Sequence, residues 1–263
     1  MKKLTLIIFL VITSNGWAMG HSDLDQSINS HQQQFEKIAL QIWDIAEVGY
    51  QEYQSSSLLK ASLAKEGFRI EENVADIPTA FIAEYGQGLP VIAILGEFDA
   101  LPGLAQSASP YREKYKENIA GHACGHHLFG AGSAWASVVI KEWLSSNNKK
   151  GTIRFYGTPA EEGGSGKVYM AREGLFDDVD VVLHWHPSSD NHARPRTSNS
   201  NKSARFSFKG ISAHAASAPE KGRSALDGVE SMNMMVNLMR EHIPCLLYTS
   251  PSPRDATLSR MPS

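Results

Sequence analysis

The run Gly121-His122-Ala123-Cys124-Gly125-His126-His127 sets one thiol and three imidazoles among small residues. Cys124 and His126 stand two apart and can turn to one side of an extended loop. A soft thiolate beside an imidazole suits zinc or another borderline transition-metal ion. Alone, so short a motif could equally be a surface loop that happens to hold histidines. Its company changes the reading. The apolar run from Pro90 ends in Glu97 and Asp99, the run Thr152–Gly157 leads to Glu161-Glu162, and Asp180–Leu183 leads to His184-Trp185-His186-Pro187.

Each of these places offers a specific chemistry. Of Glu161 and Glu162, one can bind metal while its neighbour faces a water, since adjacent residues on a strand point opposite ways. Metal-assisted hydrolysis needs that division: the ion lowers the pKa of water and a carboxylate takes its proton. A solvated acidic turn is the plainer alternative. His184 and His186 lie on one face of an extended segment, and one of them is expected to ligate. We prefer His186, because Pro187 restricts its backbone and so fixes its aim. Asp99 reads as the carboxylate that holds a ligating imidazole. Gly163-Gly164-Ser165-Gly166-Lys167 is not a phosphate loop, because Glu161 falls at the first glycine position and Val168 where Ser or Thr would bind magnesium. His214, between alanines in a later loop, has no role fixed by pattern.

The elements that must position these residues follow from periodicity. Phe35, Ile38, Ile42 and Ile45 predict an amphipathic helix over 31–47, and Leu59 and Leu63 a second over 53–66, stopped by Gly67. Segments 68–74 and 79–85 read as strands broken by Pro78. The near-continuous apolar run 90–95 is that of a parallel strand buried on both faces. A Gly-, Ala- and Ser-rich helix over 127–144 should lie close against the sheet. Strand 152–157, a short helix 168–173 and a buried strand 180–183 complete a mostly parallel α/β sheet flanked by helices. Ligands in such sheets sit outside the carboxyl ends of the strands, so Asp99, Glu161, Glu162, His184 and His186 could reach one crevice beside Cys124 and His126.

After Ser188 the composition turns polar, and we place a domain junction in 188–202. A catalytic region over 21–202 precedes a smaller α+β region over 203–244. There Ala204–Lys209 reads as a half-buried strand, and Arg223–Glu241 as a helix with Leu226, Val229, Met232, Met235 or Val236, and Met239 inward. Its methionines read as core fill. Residues 245–263 lack periodicity and read as disordered.

Whole-chain features bound the function. The 263 residues are 42% hydrophobic and 20% charged, enough for a packed core, and the net charge of −3 argues against a nucleic-acid partner. Only Cys124 and Cys245 are present, with no disulfide framework. Lys2-Lys3, the apolar Leu4–Ile12 and the small residues Gly16-Trp17-Ala18 read as a signal peptide over 1–20. We therefore expect an exported, periplasmic or secreted protein with no stable membrane anchor after cleavage.

Four motifs occur in the order found in the M20 metallopeptidases: Leu95-Gly96-Glu97-Phe98-Asp99-Ala100-Leu101-Pro102, Gly121–His126, Pro159-Ala160-Glu161-Glu162-Gly163-Gly164, and Gly210-Ile211-Ser212-Ala213-His214-Ala215. Over residues 31–244 the chain resembles the amidohydrolase branch of that family, the aminobenzoyl-glutamate hydrolase type above all. The resemblance implies a zinc-exopeptidase-like catalytic domain with a lid domain that dimerises. It implies two divalent metal ions, Zn or Mn with Co or Ni as possibilities, held by Cys124 as bridging ligand and by His126, Glu162 and His186. It makes Glu161 the general base, Asp99 the acid behind a ligand, and His214 the lid histidine that steadies an oxyanion. The substrate class implied is a small-molecule amide, an N-acyl or aminobenzoyl amino acid or a small dipeptide. The family pattern continues past the lid helix with a further strand and one more histidine ligand, whereas residues 245–263 resemble nothing in it. We therefore expect a C-terminally truncated chain, and an inactive metal-binding or dimerising fragment is the alternative to a hydrolase. A further enzymatic alternative makes Cys124 a nucleophile.

Overall fold

A computed structural model describes residues 21–115, 119–193, 200 and 204–243. The expected signal peptide over 1–20 and the expected disordered tail over 245–263 lie outside the described residues. Contacts divide the chain after Asn191, within the polar segment 188–202.

The first unit is built on a five-stranded sheet. Its elements are α1 (His21–Ile45), α2 (Tyr53–Lys65), β1 (Arg69–Glu72), β2 (Phe81–Gln87), β3 (Val91–Gly96), β4 (Leu101–Pro102), β5 (Ala120–Gly121), α3 (His126–Ser146), β6 (Gly151–Gly157), α4 (Gly166–Arg172) and β7 (Val181–Leu183). The strand order is β1-β2-β6-β3-β7, and β4 and β5 form a separate ribbon. The α/β sheet is mixed: β1, β2 and β6 pair antiparallel, while β6, β3 and β7 run parallel. The segments after the parallel strands β3, β6 and β7 bear Glu97, Asp99, Glu161, Glu162, His184 and His186.

Burial explains the apolar run of β3. Ile94 enters one core with Phe35, Ile42, Leu59, Phe81 and Phe155, beneath the helices α1, α2 and α3. Its neighbours Ala93 and Leu95 enter a second core with Tyr156 and Met170 on the opposite face. Successive side chains of a strand point to opposite faces, so a strand covered on both has no polar position. Helix α3 does lie close on the sheet: a Cβ on Gly130 would stand 2.7 Å from the Glu97 carbonyl oxygen.

The apolar segment at β7 is not a buried strand. It is the last strand in the sheet order, and Val181, Val182 and Leu183 are each about half exposed. Pattern registers apolar residues, not whether a neighbour covers them.

In the second unit the helix forms as α5 (Ala225–Met239), and the Ser224 side chain caps it by accepting from the Asp227 N–H at 3.1 Å. No residue of α5 is buried, with Leu226 65% and Met239 60% exposed, so its methionines do not fill a core among the described residues. Ala204–Lys209 is not a strand and Phe206 is exposed; no partner strand pairs with it among the described residues. Phe208 instead packs over Gly228, and Ile211 bridges Arg223. No helix among the described residues is long and apolar enough to cross a membrane.

Candidate metal centre

The site lies at the carboxyl ends of β3, β6 and β7, where the chain turns out of the sheet. Asp99, 1% exposed, is its anchor. One of its oxygens, Oδ1, accepts from His126 Nδ1 at 2.9 Å, and the other, Oδ2, accepts from the Glu162 backbone N–H at 2.9 Å. A single carboxylate thus orients an imidazole from the start of α3 and the turn after β6.

His126 is held through Nδ1, so its Nε2 faces the crevice. Nε2 lies 3.0 Å from Glu97 Oε2, and 3.9 Å from both Glu161 Oε2 and Glu162 Oε1. His126 Nε2, Glu97 Oε2 and Glu162 Oε1 are buried and have no hydrogen-bond partner. Nε2 and the Glu97 oxygen are close, but not along a hydrogen-bond direction. Buried polar atoms are ordinarily paired, and a divalent cation would pair all three once His126 gives up its Nε2 proton.

The other flank is Cys124 and His186. Cys124 Sγ is 3.5 Å from His186 Nε2, and His186 Nδ1 donates to the Pro187 carbonyl at 2.9 Å. Both imidazoles therefore tie down Nδ1 and present Nε2. The ligand atoms of Cys124, His126 and His186 lie within 4.8 Å of one another, as do those of Glu97, His126 and Glu161. Thiolate, imidazole and carboxylate at this spacing fit a borderline divalent ion.

Local structure explains the placement. Gly125 has φ +82°, and a Cβ there would stand 2.9 Å from Pro187 Cβ, so only glycine lets the segment after β7 close on the Cys124 loop. Trp185 Nε1 donates to Ser133 Oγ at 3.0 Å on α3, which leaves His184 and His186 on either side of a fixed ring. The buried Phe129 ring meets both imidazoles edge-on, at 5.0 Å from His184 and 6.0 Å from His186.

Electrostatics follow the same design. Burial pulls the His126 imidazole down, but the Asp99 and Glu97 carboxylates outweigh it and push it up to about 10. Metal binding there displaces a proton. Burial, with the Glu162 carboxylate beside it, pushes the Cys124 thiol up to about 12. Such a thiol stays protonated unless a cation claims its sulfur, which disfavours Cys124 as a free nucleophile. Burial and the neighbouring Glu97 raise Glu161 from its ordinary value.

One feature differs from the sequence reading, and the remaining histidines fill in what it left open. Glu161 and Glu162 sit in a turn rather than on a strand, because Ala160 adopts φ +57°, and both carboxylates reach toward His126. His184 and His186 take different partners: His184 Nε2 lies 3.5 Å from Glu97 Oε1, and His186 Nε2 3.5 Å from Cys124 Sγ. His122 and His127 also leave the centre. Burial, reinforced by the neighbouring imidazoles, lowers both to about 4, and His122 Nε2 donates to the Ile42 carbonyl at 3.0 Å. His214, in the second unit, is exposed; its Nδ1 accepts from the N–H groups of Ala216 and Ser217 at 3.2 and 3.3 Å, which leaves Nε2–H as a donor.

Sequence reasoning missed Glu52. It is fully buried, and it accepts from the Ala160 N–H at 2.8 Å and from Thr79 Oγ1 at 3.0 Å. It pins the turn that carries Glu161 and Glu162. Glu52→Ala strands these donors, so unfolding in urea should show about 1–3 kcal/mol lost. An unchanged midpoint and slope would remove Glu52 from this role.

A model of peptidase family M20/M25/M40 matches residues 93–244. One p-aminobenzoyl-glutamate hydrolase subunit of Escherichia coli (strain K12) is 47% identical over 223 residues, 84% of this chain and 46% of that protein. The hippurate hydrolase of Campylobacter jejuni is 33% identical over 157 residues, 59% of this chain and 39% of that protein. The chain thus spans less than half the length of these curated relatives. A crystal structure of a Bacillus subtilis protein, described as a dinuclear metal binding peptidase from the M20 family, matches with a TM-score of 0.54 at 26% identity. The match covers 62% of this chain and 45% of that one.

Proposed function

Because this chain belongs to peptidase family M20/M25/M40, we propose that it carries the metal centre of an amidohydrolase that cuts N-acyl or aminobenzoyl amino acids, or small dipeptides. The observation that carries the reading is the convergence of unpartnered buried acceptors, Glu97 Oε2, His126 Nε2 and Glu162 Oε1, beside the Cys124 thiol. Cys124, His126, Glu162 and His186 would hold two divalent ions, with Zn or Mn the first candidates for this donor set and Co or Ni compatible with it. When bound, such ions lower the pKa of water and polarise the scissile carbonyl.

The chain's own residues do the rest. Asp99 holds the His126 tautomer and the Glu162 backbone in register. Glu161, raised above an ordinary carboxylate and half exposed at the crevice, takes the proton of the attacking water and returns it to the leaving amine. His214, with Nε2–H as donor, steadies the oxyanion. We assign the second unit to the lid and to a homodimer contact, which the exposed apolar side chains of α5 support. The charged and apolar N-terminus supports export.

Turnover of p-aminobenzoyl-glutamate and hippurate tests the reading. Hydrolysis should cease on treatment with a chelator and return with added Zn²⁺ or Mn²⁺. Hydrolysis that survives the chelator and stops with a thiol alkylating reagent would instead favour a cysteine nucleophile.

A further inference from the structure

Glu97 is the most deeply buried acid at the crevice after Asp99, 2% exposed, and it contributes to the centre without belonging to the ligand set above. Its two oxygens face different ways. Oε1 is engaged by Lys167 Nζ, and His184 Nε2 stands 3.5 Å from it. Oε2 has no hydrogen-bond partner and lies 3.0 Å from the unpartnered Nε2 of His126.

A carboxylate buried this deeply is costly unless both of its oxygens are paired. Lys167 and His184 account for one oxygen only. The other is aimed where His126 Nε2 is aimed, and the ligand atoms of Glu97, His126 and Glu161 lie within 4.8 Å of one another. We propose that Glu97 is a further direct metal ligand through Oε2, with Lys167 and His184 as the positioning residues that clamp Oε1. This rests on the metal-centre reading above. It adds a further hard oxygen donor to a centre that also holds the soft Cys124 sulfur. Lys167 offsets the added negative charge and keeps the carboxylate from swinging away.

Equilibrium dialysis of the 263-residue chain against Mn²⁺ and against Zn²⁺ tests this, comparing wild type with Glu97→Gln and Lys167→Met. Glu97→Gln should weaken metal binding about tenfold or more, the scale set by losing even an indirect support of a ligand. The loss should fall more heavily on Mn²⁺ than on Zn²⁺, because the donor removed is the hard one. Lys167→Met should weaken both ions less than Glu97→Gln does. If circular dichroism shows Glu97→Gln to be unfolded, Glu97→Asp, which retains the charge but withdraws the oxygen, should show the same ordering. Wild-type binding that persists unchanged in the folded Glu97 variant overturns the Glu97 assignment and leaves the metal centre standing. Absence of binding in the wild type overturns both.

Discussion

Glu161→Gln is expected to lower the rate of amide hydrolysis by about 10²–10⁴, the range for a general base in proton transfer, while metal content stays near the wild-type value. The substitution retains the size of the side chain but removes its ability to accept a proton. Glu161 suits the role on two counts. Its Oε2 lies 3.9 Å from His126 Nε2, within one water of the ligands, and burial with Glu97 raises its proton affinity. A base nearer the working pH transfers protons with more driving force. Glu162 differs: its Oε1 is buried and unpartnered, and its backbone is tied to Asp99. Steady-state kinetics with metal content measured on the same samples separate the two glutamates. Equal rates in wild type and Glu161→Gln would remove Glu161 as the base.

Cys124→Ser carries the other large effect, on metal affinity and on the stability linked to it. Burial and Glu162 push the thiol up to about 12 in the metal-free protein, so only a cation draws out the thiolate. A ligand present at about 100 times its Kd stabilises by about 2.7 kcal/mol. Loss of a direct ligand should weaken binding about 100-fold, the upper end for indirect supports. The same metal concentration then stabilises the variant by only about 0.4 kcal/mol. In thermal melts this is a rise of about 5–10 °C on adding metal to wild type against about 1 °C for Cys124→Ser, from the usual 2–4 °C per kcal/mol at this size. Equal rises would place the bound metal away from the sulfur.

Much of the centre was legible because chemistry clusters where strands end. Glu161, Glu162 and the two histidines of His184-Trp185-His186 follow recognisable strands, and parallel strands deliver such positions to one edge; Cys124 and His126 stand out by residue type just before a recognisable helix. The helices α1 and α2 were equally plain from their apolar period, and strand β3 from its unbroken apolar run. What escaped depends on tertiary pairing. Glu97 was visible as an acid at a strand end, but nothing local says that Lys167 and His184 take one oxygen and leave the other bare. Lys167 drew notice only as part of a glycine-rich run. Glu52 reaches a turn 108 residues away and has no local signature. The exposure of β7 and α5 was illegible for a related reason: apolar periodicity identifies a face and not what covers it.

X-ray absorption at the edge of the bound metal reads the centre most directly, in wild type and Cys124→Ser loaded with Zn²⁺. Wild type should show sulfur at about 2.3 Å together with nitrogen or oxygen at about 2.0–2.2 Å, and the sulfur should vanish in the variant. A shell of oxygen and nitrogen alone in the wild type, identical in the variant, would contradict a site built around Cys124.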